Sequence, residues 1–246
     1  MTTPYVSQTQ YGKFEEFNLQ VARGQITGHS TLNIYGYQPT ISTTSIPVWE
    51  NATAYTYPVA ASTMYLSGTN GDTAQILVSG LDALYKPINE TVTMNGATPV
   101  ATANQYLRIN NMAVTVGSAT NPAGVVYLKN QAGTVTYAQI NAGIGRTQMA
   151  IYTVPAGYTF YLQRVAIYTS LNGNDYVTYQ NKTVSSTGVV QVTQQAPFAI
   201  SYDALRIMPR PILEKTDIQL LCAIKNGTAA VAVAHEGYLI KNETGY

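Results

Sequence analysis

Little in this sequence is charged. Lys, Arg, Asp and Glu make up 10% of the 246 residues and leave a formal net charge of +1, where an ordinary soluble domain carries about 25% charged residues. Lys and Arg are scattered and form no run. The electrostatic footprint of a nucleic-acid-binding protein is therefore missing, and no nucleic-acid partner is expected. Scarce charge does not mean disorder here. Disordered chains combine high charge with few aromatics, and this chain has 20 Tyr and 46% hydrophobic residues. There is one cysteine, Cys222, which excludes an intrachain disulfide framework. It shares an alternating face with Ile218, Leu220 and Ile224 and reads as a small buried hydrophobe. No apolar run approaches the ~18 residues of a membrane-spanning helix. Residues 1–10 have neither the basic start nor the apolar core of a signal peptide. The expectation is a chain that folds in a reducing compartment with no membrane partner.

What is present is strand text. Segments 30–37, 74–81, 90–95, 106–109, 112–116, 124–129, 134–140 and 149–154 alternate apolar and polar residues, and 158–168, 176–180, 188–194, 218–224 and 230–240 do the same. Val, Ile, Thr and Tyr dominate them, as a pleated, half-buried surface prefers. Turn signals separate them: Asn70-Gly71-Asp72, Asn95-Gly96, Asn172-Gly173-Asn174 and Asn226-Gly227 supply the positive φ of tight hairpins. Residues 13–23 are the exception. Phe14, Phe17 and Val21 recur at helical spacing, acids come early, Arg23 comes late and Gly24 can stop the helix. The fold class expected is all-β, a jelly-roll-like antiparallel sandwich. A short arm or helix over 1–24 precedes a sandwich over 25–246, with a subdivision, if any, at 141–147. Within 158–168, Phe160 and Leu162 lie on one face and Val165 and Ile167 on the other. That switch predicts a bulge or a sheet-crossing bend near Gln163. Residues 208–211 (Met-Pro-Arg-Pro) read as an extended connector.

Reactive chemistry is thin. His29 and His235 are the two histidines, and no nucleophile elbow or zinc spacing accompanies them. His235 follows Val231 and Val233 on one strand face and reads as a satisfied structural histidine. The Asn-Gly-Asp turns lack the acidic density of a calcium loop. Gly143-Ile144-Gly145 lacks the third glycine of a dinucleotide loop. No cofactor or metal is expected. A glycosidase needs two carboxylates, and Glu50 with Asp72 or Asp203 with Glu214 are the pairs on offer. The five Asn-x-Thr sequons, at Asn51, Asn89, Asn181, Asn226 and Asn242, are what a Thr- and Asn-rich chain generates by chance. The abundant Tyr serve β-structure first, and interfaces or sugar sites second.

Three stretches carry a family likeness. Residues 18–37 read NLQVARGQITGHSTLNIYGY, residues 80–100 read GLDALYKPINETVTMNGATPV, and residues 145–165 read GRTQMAIYTVPAGYTFYLQRV. Together they resemble virion structural proteins of tailed bacteriophages, especially those of marine bacteria and cyanobacteria. The likeness runs from about residue 18 to near the C-terminus and contains no catalytic motif. It implies a non-enzymatic protein of the virion, assembled in the host cytoplasm. The first expectation is a capsid-associated subunit, a head decoration or capsid protein contacting the major capsid protein. A homo-oligomer is expected, with a trimer favoured to match local threefolds. Tyr5, Tyr11, Phe14 and Phe17 are the expected docking arm, because they precede the regular strands. The alternative is a tail-associated, receptor-binding module with a glycan ligand. A carbohydrate-active enzyme is the third hypothesis.

Overall fold

The computed structural model describes residues 15–51, 53–118, 120–171 and 175–242. The chain enters through one short helix, α1 (Phe17–Ala22). Gly24 ends it with φ +68°. Its N–H bonds to the Val21 carbonyl and that of Gln25 to the Gln20 carbonyl, the pair of bonds by which a left-handed residue closes a helix. The helix is shorter than the 13–23 expected, and residues 13 and 14 lie outside the described residues.

Every regular element described after α1 is an antiparallel strand. β1 (His29–Ile41) and β2 (Ile46–Pro47) come first. Then follow β3 (Ser62–Gly68), β4 (Gln75–Leu81), β5 (Pro87–Thr93), β6 (Val100–Tyr106), β7 (Arg108–Val114), β8 (Val126–Lys129) and β9 (Thr136–Ile140). The chain continues with β10 (Ile151–Thr153), β11 (Tyr158–Thr169), β12 (Val177–Val184) and β13 (Val190–Phe198). It ends with β14 (Ser201–Ile212), β15 (Asp217–Ile224) and β16 (Ala229–Lys241). The all-β, antiparallel sandwich architecture read from the sequence is present.

Two cores organise these strands. The first lies between the sheet β1-β16-β11-β14 and the sheet β10-β15-β12-β13, with β2 also on β15. It holds Ile34, Phe160, Leu162, Val165, Ile167, Val233, Tyr179, Leu220 and Cys222. The second lies between β6-β3-β8-β9 and β5-β4-β7 and holds Trp49, Met64, Leu66, Ile76, Val78, Tyr106, Met112, Leu128 and Ile140. The first core is discontinuous in sequence. The chain leaves it after Val48 and returns at Ala150, whose N–H donates to the Val48 carbonyl at 2.8 Å. Residues 141–147 belong to the return crossing. Side-chain alternation shares the crossing between cores: Val48 and Ala150 face the first, Trp49, Met149 and Ile151 the second. Gly36 lies against this point, where a Cβ would come within 2.4 Å of the Val48 carbonyl oxygen.

With the insert set aside, eight strand positions form the first sandwich. The first pairs the eighth (β1, β16), the second the seventh (β2, β15), the third the sixth (β11, β14) and the fourth the fifth (β12, β13). That is one long hairpin rolled up on itself. β10 extends the β2 position along β15.

The face switch in β11 is a bulge within one sheet. Register slips between Leu162 and Arg164 against both neighbouring strands, so Gln163 is extra and all four apolar side chains point inward. Phe160, Leu162, Val165 and Ile167 are each fully buried. Gly237 on β16 faces the bulge. A Cβ there would stand 2.0 Å from the Tyr161 carbonyl oxygen.

β14 runs through Pro209 and Pro211, the stretch expected to be a connector. The strand is tolerated because it is the edge of its sheet, where proline forfeits no needed ladder bond.

Candidate assembly surface

Among the described residues, exposed apolar side chains are most concentrated along β13 and β14. Sixteen large hydrophobic side chains are exposed among the described residues, and eight of them fall within 189–213. Those outside, such as Val59, Leu84 and Val116, are scattered singly, which is ordinary for a protein surface.

Local sequence builds this edge. β12 turns into β13 through Ser185 and Gly188, the latter at φ +83°. Val190 and Val192 are left exposed on β13. Phe198 plugs the core at the far end, and the chain crosses to the other sheet at Ile200. β14 then pairs with β11 as far as Leu205 against Arg164, and resumes with Arg210 against Leu162. Residues 206–209 therefore stand opposite Gln163 alone, and they bow outward.

Two arginines hold this bow in place from behind. Arg206 donates to Gln194 Oε1, and Gln194 Nε2 donates to the Tyr202 hydroxyl. Arg210 Nη1 donates to the Thr193 carbonyl at 3.0 Å. Between them Ile207 is 99% and Met208 86% exposed, and Leu205 on the adjoining turn of strand is 72% exposed. Beside the bow lies a groove of about 260 Å³ of mixed character, with Val189, Ile212 and Leu213 set among Thr183, Gln191 and Arg210.

Few charges lie along this edge. From 183 to 213 the charged residues are Asp203, Arg206 and Arg210. Asp203 is bound by Arg164, Nη2 to Oδ2 at 2.7 Å, which holds its carboxyl below the usual range. Edge strands often carry charges that repel a neighbour; here Arg206 and Arg210 keep theirs, bonded only to neutral oxygens, and Lys182 stands opposite Val192.

Polar groups are buried behind the edge. His235 is 1% exposed and neither ring nitrogen has a hydrogen-bond partner. It is therefore buried but not satisfied, contrary to the sequence reading. Burial first, and Arg206 second, push its pKa down to about 4. The Asn181 amide is fully buried on the neighbouring inner face and likewise unpartnered.

The other residues singled out in the sequence are dispersed. Phe17 stacks edge-on against Tyr238 at 5.6 Å and His29 at 6.1 Å, so it packs on its own chain. Tyr5, Tyr11 and Phe14 lie outside the described residues, as does the 172–174 turn. Asp72 accepts from the Ala123 and Gly124 amides, both at 2.9 Å, and Glu214 accepts from the Gly157 amide. Glu50 is buried at the insert crossing without a well-formed hydrogen bond. Burial raises its pKa to about 7 against the pull of the Gln148 and Asn141 backbone amides. Cys222 is buried, and burial pushes its thiol up.

A second notable site joins the two sandwiches. Arg108 on β7 grips Asp217 on β15 with both arms, Nε to Oδ1 at 2.8 Å and Nη2 to Oδ2 at 3.0 Å. Thr153 Oγ1 donates to the same carboxylate at 2.6 Å, and the guanidinium lies over the Tyr57 ring at 4.6 Å. Nothing local in the sequence announces this pair, whose members are 109 positions apart. The β13–β14 edge had one readable signal: the lack of Lys and Glu between 183 and 213.

Comparison with known proteins adds little. No family model matches the chain, and no curated protein matches it. One solved structure, described as "Structure of infectious bursal disease virus Gt strain", aligns at 10% identity over 89% of this chain and 78% of that chain, with a TM-score of 0.18. A superposition at that score does not amount to a shared fold.

Proposed function

We propose that this chain is a non-enzymatic structural subunit of a virion, associated with the capsid as a decoration or capsid protein and stabilising the particle through protein–protein contacts. The observation that carries this reading is the concentration of exposed aliphatic side chains along β13 and β14. Apolar surface so concentrated marks a place where another protein sits. The rolled eight-strand pairing supports it as well. We read that winding as a jelly roll with a second sandwich inserted between its second and third strands, an architecture that serves capsid and lectin domains. Fold alone does not fix function, so the weight rests on the surface and on the likeness to phage virion proteins in residues 18–37, 80–100 and 145–165. The partners are the major capsid protein and further copies of this chain, with a trimer favoured.

The test is the copy number of this protein in purified virions relative to the major capsid protein. A ratio within a few-fold of one is expected. A handful of copies per particle moves the protein to the tail, and absence sinks the virion reading. The arm is tested separately: deleting residues 1–23 abolishes docking on capsids while the sandwiches stay folded. Truncated protein that still docks removes the arm from the account.

A second reading has its own observation. A crevice of about 390 Å³ runs between the sandwiches, bordered by Tyr35, Tyr152, Tyr158, Asn111 and Arg146. Aromatic rings beside amide and guanidinium donors are the chemistry of a glycan site. A tail-associated, receptor-binding role is supported if a glycan array gives binding that Tyr152→Ala and Tyr158→Ala abolish.

A further inference from the structure

We infer that the groove at the end of the first sandwich binds a carboxylate-bearing sugar: Arg210 takes the carboxylate, and Thr183 and Gln191 take ring hydroxyls. The inference goes beyond the structural-subunit reading and does not depend on it. The groove shares no lining residue with the crevice between the sandwiches.

Charge selects an anion. Arg210 is the one charged residue of the lining, and no carboxylate stands beside it there. It spends one donor, Nη1, on the neutral Thr193 carbonyl. Its Nε and Nη2 have no partner among the described residues. They are the same two donors with which Arg108 and Arg164 each grip an aspartate. Burial first, and the charge of nearby Arg206 second, push the Arg210 pKa below the ordinary arginine value. Arg206 itself bonds only to the amide oxygen of Gln194, so two like charges lie near each other with no counter-ion. A carboxylate on the spare fork of Arg210 relieves both costs, and its planar shape accepts two parallel bonds.

The rest of the lining selects a hydroxylated ring. Thr183 is 6% exposed and lines the groove, yet its hydroxyl makes no hydrogen bond among the described residues. Polar atoms of side chains so deeply buried are nearly always paired. Gln191 is the register partner of Thr183, which sets an amide donor and acceptor beside that hydroxyl. Val189, Ile212 and Leu213 supply apolar wall for the C–H face of a ring. Apolar walls with a few convergent polar groups are the make-up of a small-ligand site. At about 260 Å³ the groove falls just below the roughly 300–1,000 Å³ of a site for a drug-sized ligand, so it takes one ring. An aspartate or glutamate of a partner protein would occupy Arg210 and leave Thr183 and Gln191 unanswered.

The experiment titrates the full chain with glucuronate, galacturonate and N-acetylneuraminate and reads binding by ligand-observed NMR. At least one acid is expected to bind with a Kd on the order of 1 mM, the scale of so small a ligand. Glucose lacks the carboxylate and acetate lacks the ring, and each should bind at least ~10-fold more weakly. Arg210→Gln keeps a donor for the Thr193 carbonyl but removes the charge, and should lower affinity at least ~10-fold. Thr183→Val keeps the shape and should cost ~3-fold or more. Tyr152→Ala, in the crevice, should bind as wild type. Circular dichroism and thermal midpoint establish that each variant is folded. Binding of none of the three acids overturns the inference. So does glucose or acetate binding as tightly as the acids, a folded Arg210→Gln variant of unchanged affinity, or loss of binding in Tyr152→Ala. Trigalacturonate binding more tightly than the monomer would identify the ligand as the end of a polysaccharide, and binding no tighter as the free acid; both keep the inference. A protein abundant in virions that binds none of the acids sinks this inference alone. A protein that binds them but is missing from virions sinks the virion reading alone.

Discussion

Two buried titratable side chains oppose each other in how they tie stability to pH. Glu50 has its pKa raised to about 7 from an ordinary 4.5. The folded state therefore holds its proton more tightly than the unfolded chain. Its contribution is fully present below about pH 4.5 and is lost as pH rises toward 7. His235 is depressed to about 4 from 6.5. Its contribution is present above about pH 6.5 and is lost as pH falls toward 4. Each swing amounts to at most about 3 kcal/mol, so the two largely cancel in the window between. Single variants separate them. Glu50→Gln should gain stability over wild type progressively from pH 4.5 to 8, read from urea midpoints. A gain that is flat with pH would mean the carboxyl is not desolvated. His235→Leu should flatten the acid limb instead, and an unchanged acid limb would place the relevant proton elsewhere.

Strands 158–168 and 230–240 were legible in the sequence because one of their faces is buried, and burial writes a period of two, whereas 218–224 is buried on both faces and showed itself as a short apolar run. The bulge was legible for the same reason, since Phe160 and Leu162 change parity with Val165 and Ile167. Its partner Gly237 was not, because only the pairing of β16 with β11 brings it beneath Tyr161. Gly237→Ala should therefore cost about 3 kcal/mol, the scale of forced overpacking in a tight site. Denaturant midpoints give the answer, and a loss under about 0.5 kcal/mol would show that the backbone yields freely. β14 was misread because its prolines speak against a strand, and nothing in 208–211 reveals that the strand is an edge. Exposed Leu205 and Ile207 alternate with inward Tyr202, Ala204 and Arg206. The pattern is that of a two-sided strand, and the sequence cannot say which side is wet.

At the scale of the molecule, the Arg108–Asp217 pair joins the two sandwiches, together with the crossing at Val48 and Ala150, the Asn110–Thr153 bonds and the Ala156 amide on the Tyr85 carbonyl. Its side chains are 11% and 8% exposed. Removing one partner leaves a buried charge unpaired, and Arg108→Met should cost about 3–5 kcal/mol. Adding Asp217→Leu to that variant should recover much of the loss, because a buried ion pair is often replaceable by apolar residues. If the double variant is no better than Arg108→Met, the pair does more than neutralise itself. Hydrogen exchange would show where. Loosening confined to β7, β10 and the start of β15 marks a seam between two separately stable halves, while loosening spread through both cores marks one cooperative unit.

The sequence by itself determined the class of the fold and most of its strands, since burial of one face imposes its period whatever the partner strand is. It also determined that helix α1 ends at Gly24 and that Cys222 lies inside. Tertiary structure decided what depends on which distant residues meet. It split the strands between two cores, put the first core on both sides of the second in sequence, and paired first with eighth strand in a rolled hairpin. It also buried Glu50 and His235 without partners, closed Arg108 on Asp217, and left the aliphatic side chains of β13 and β14 facing solvent. The reason is physical: periodicity is a property of one segment and its solvent, whereas an edge, a seam and a buried charge exist only once separate segments are in place.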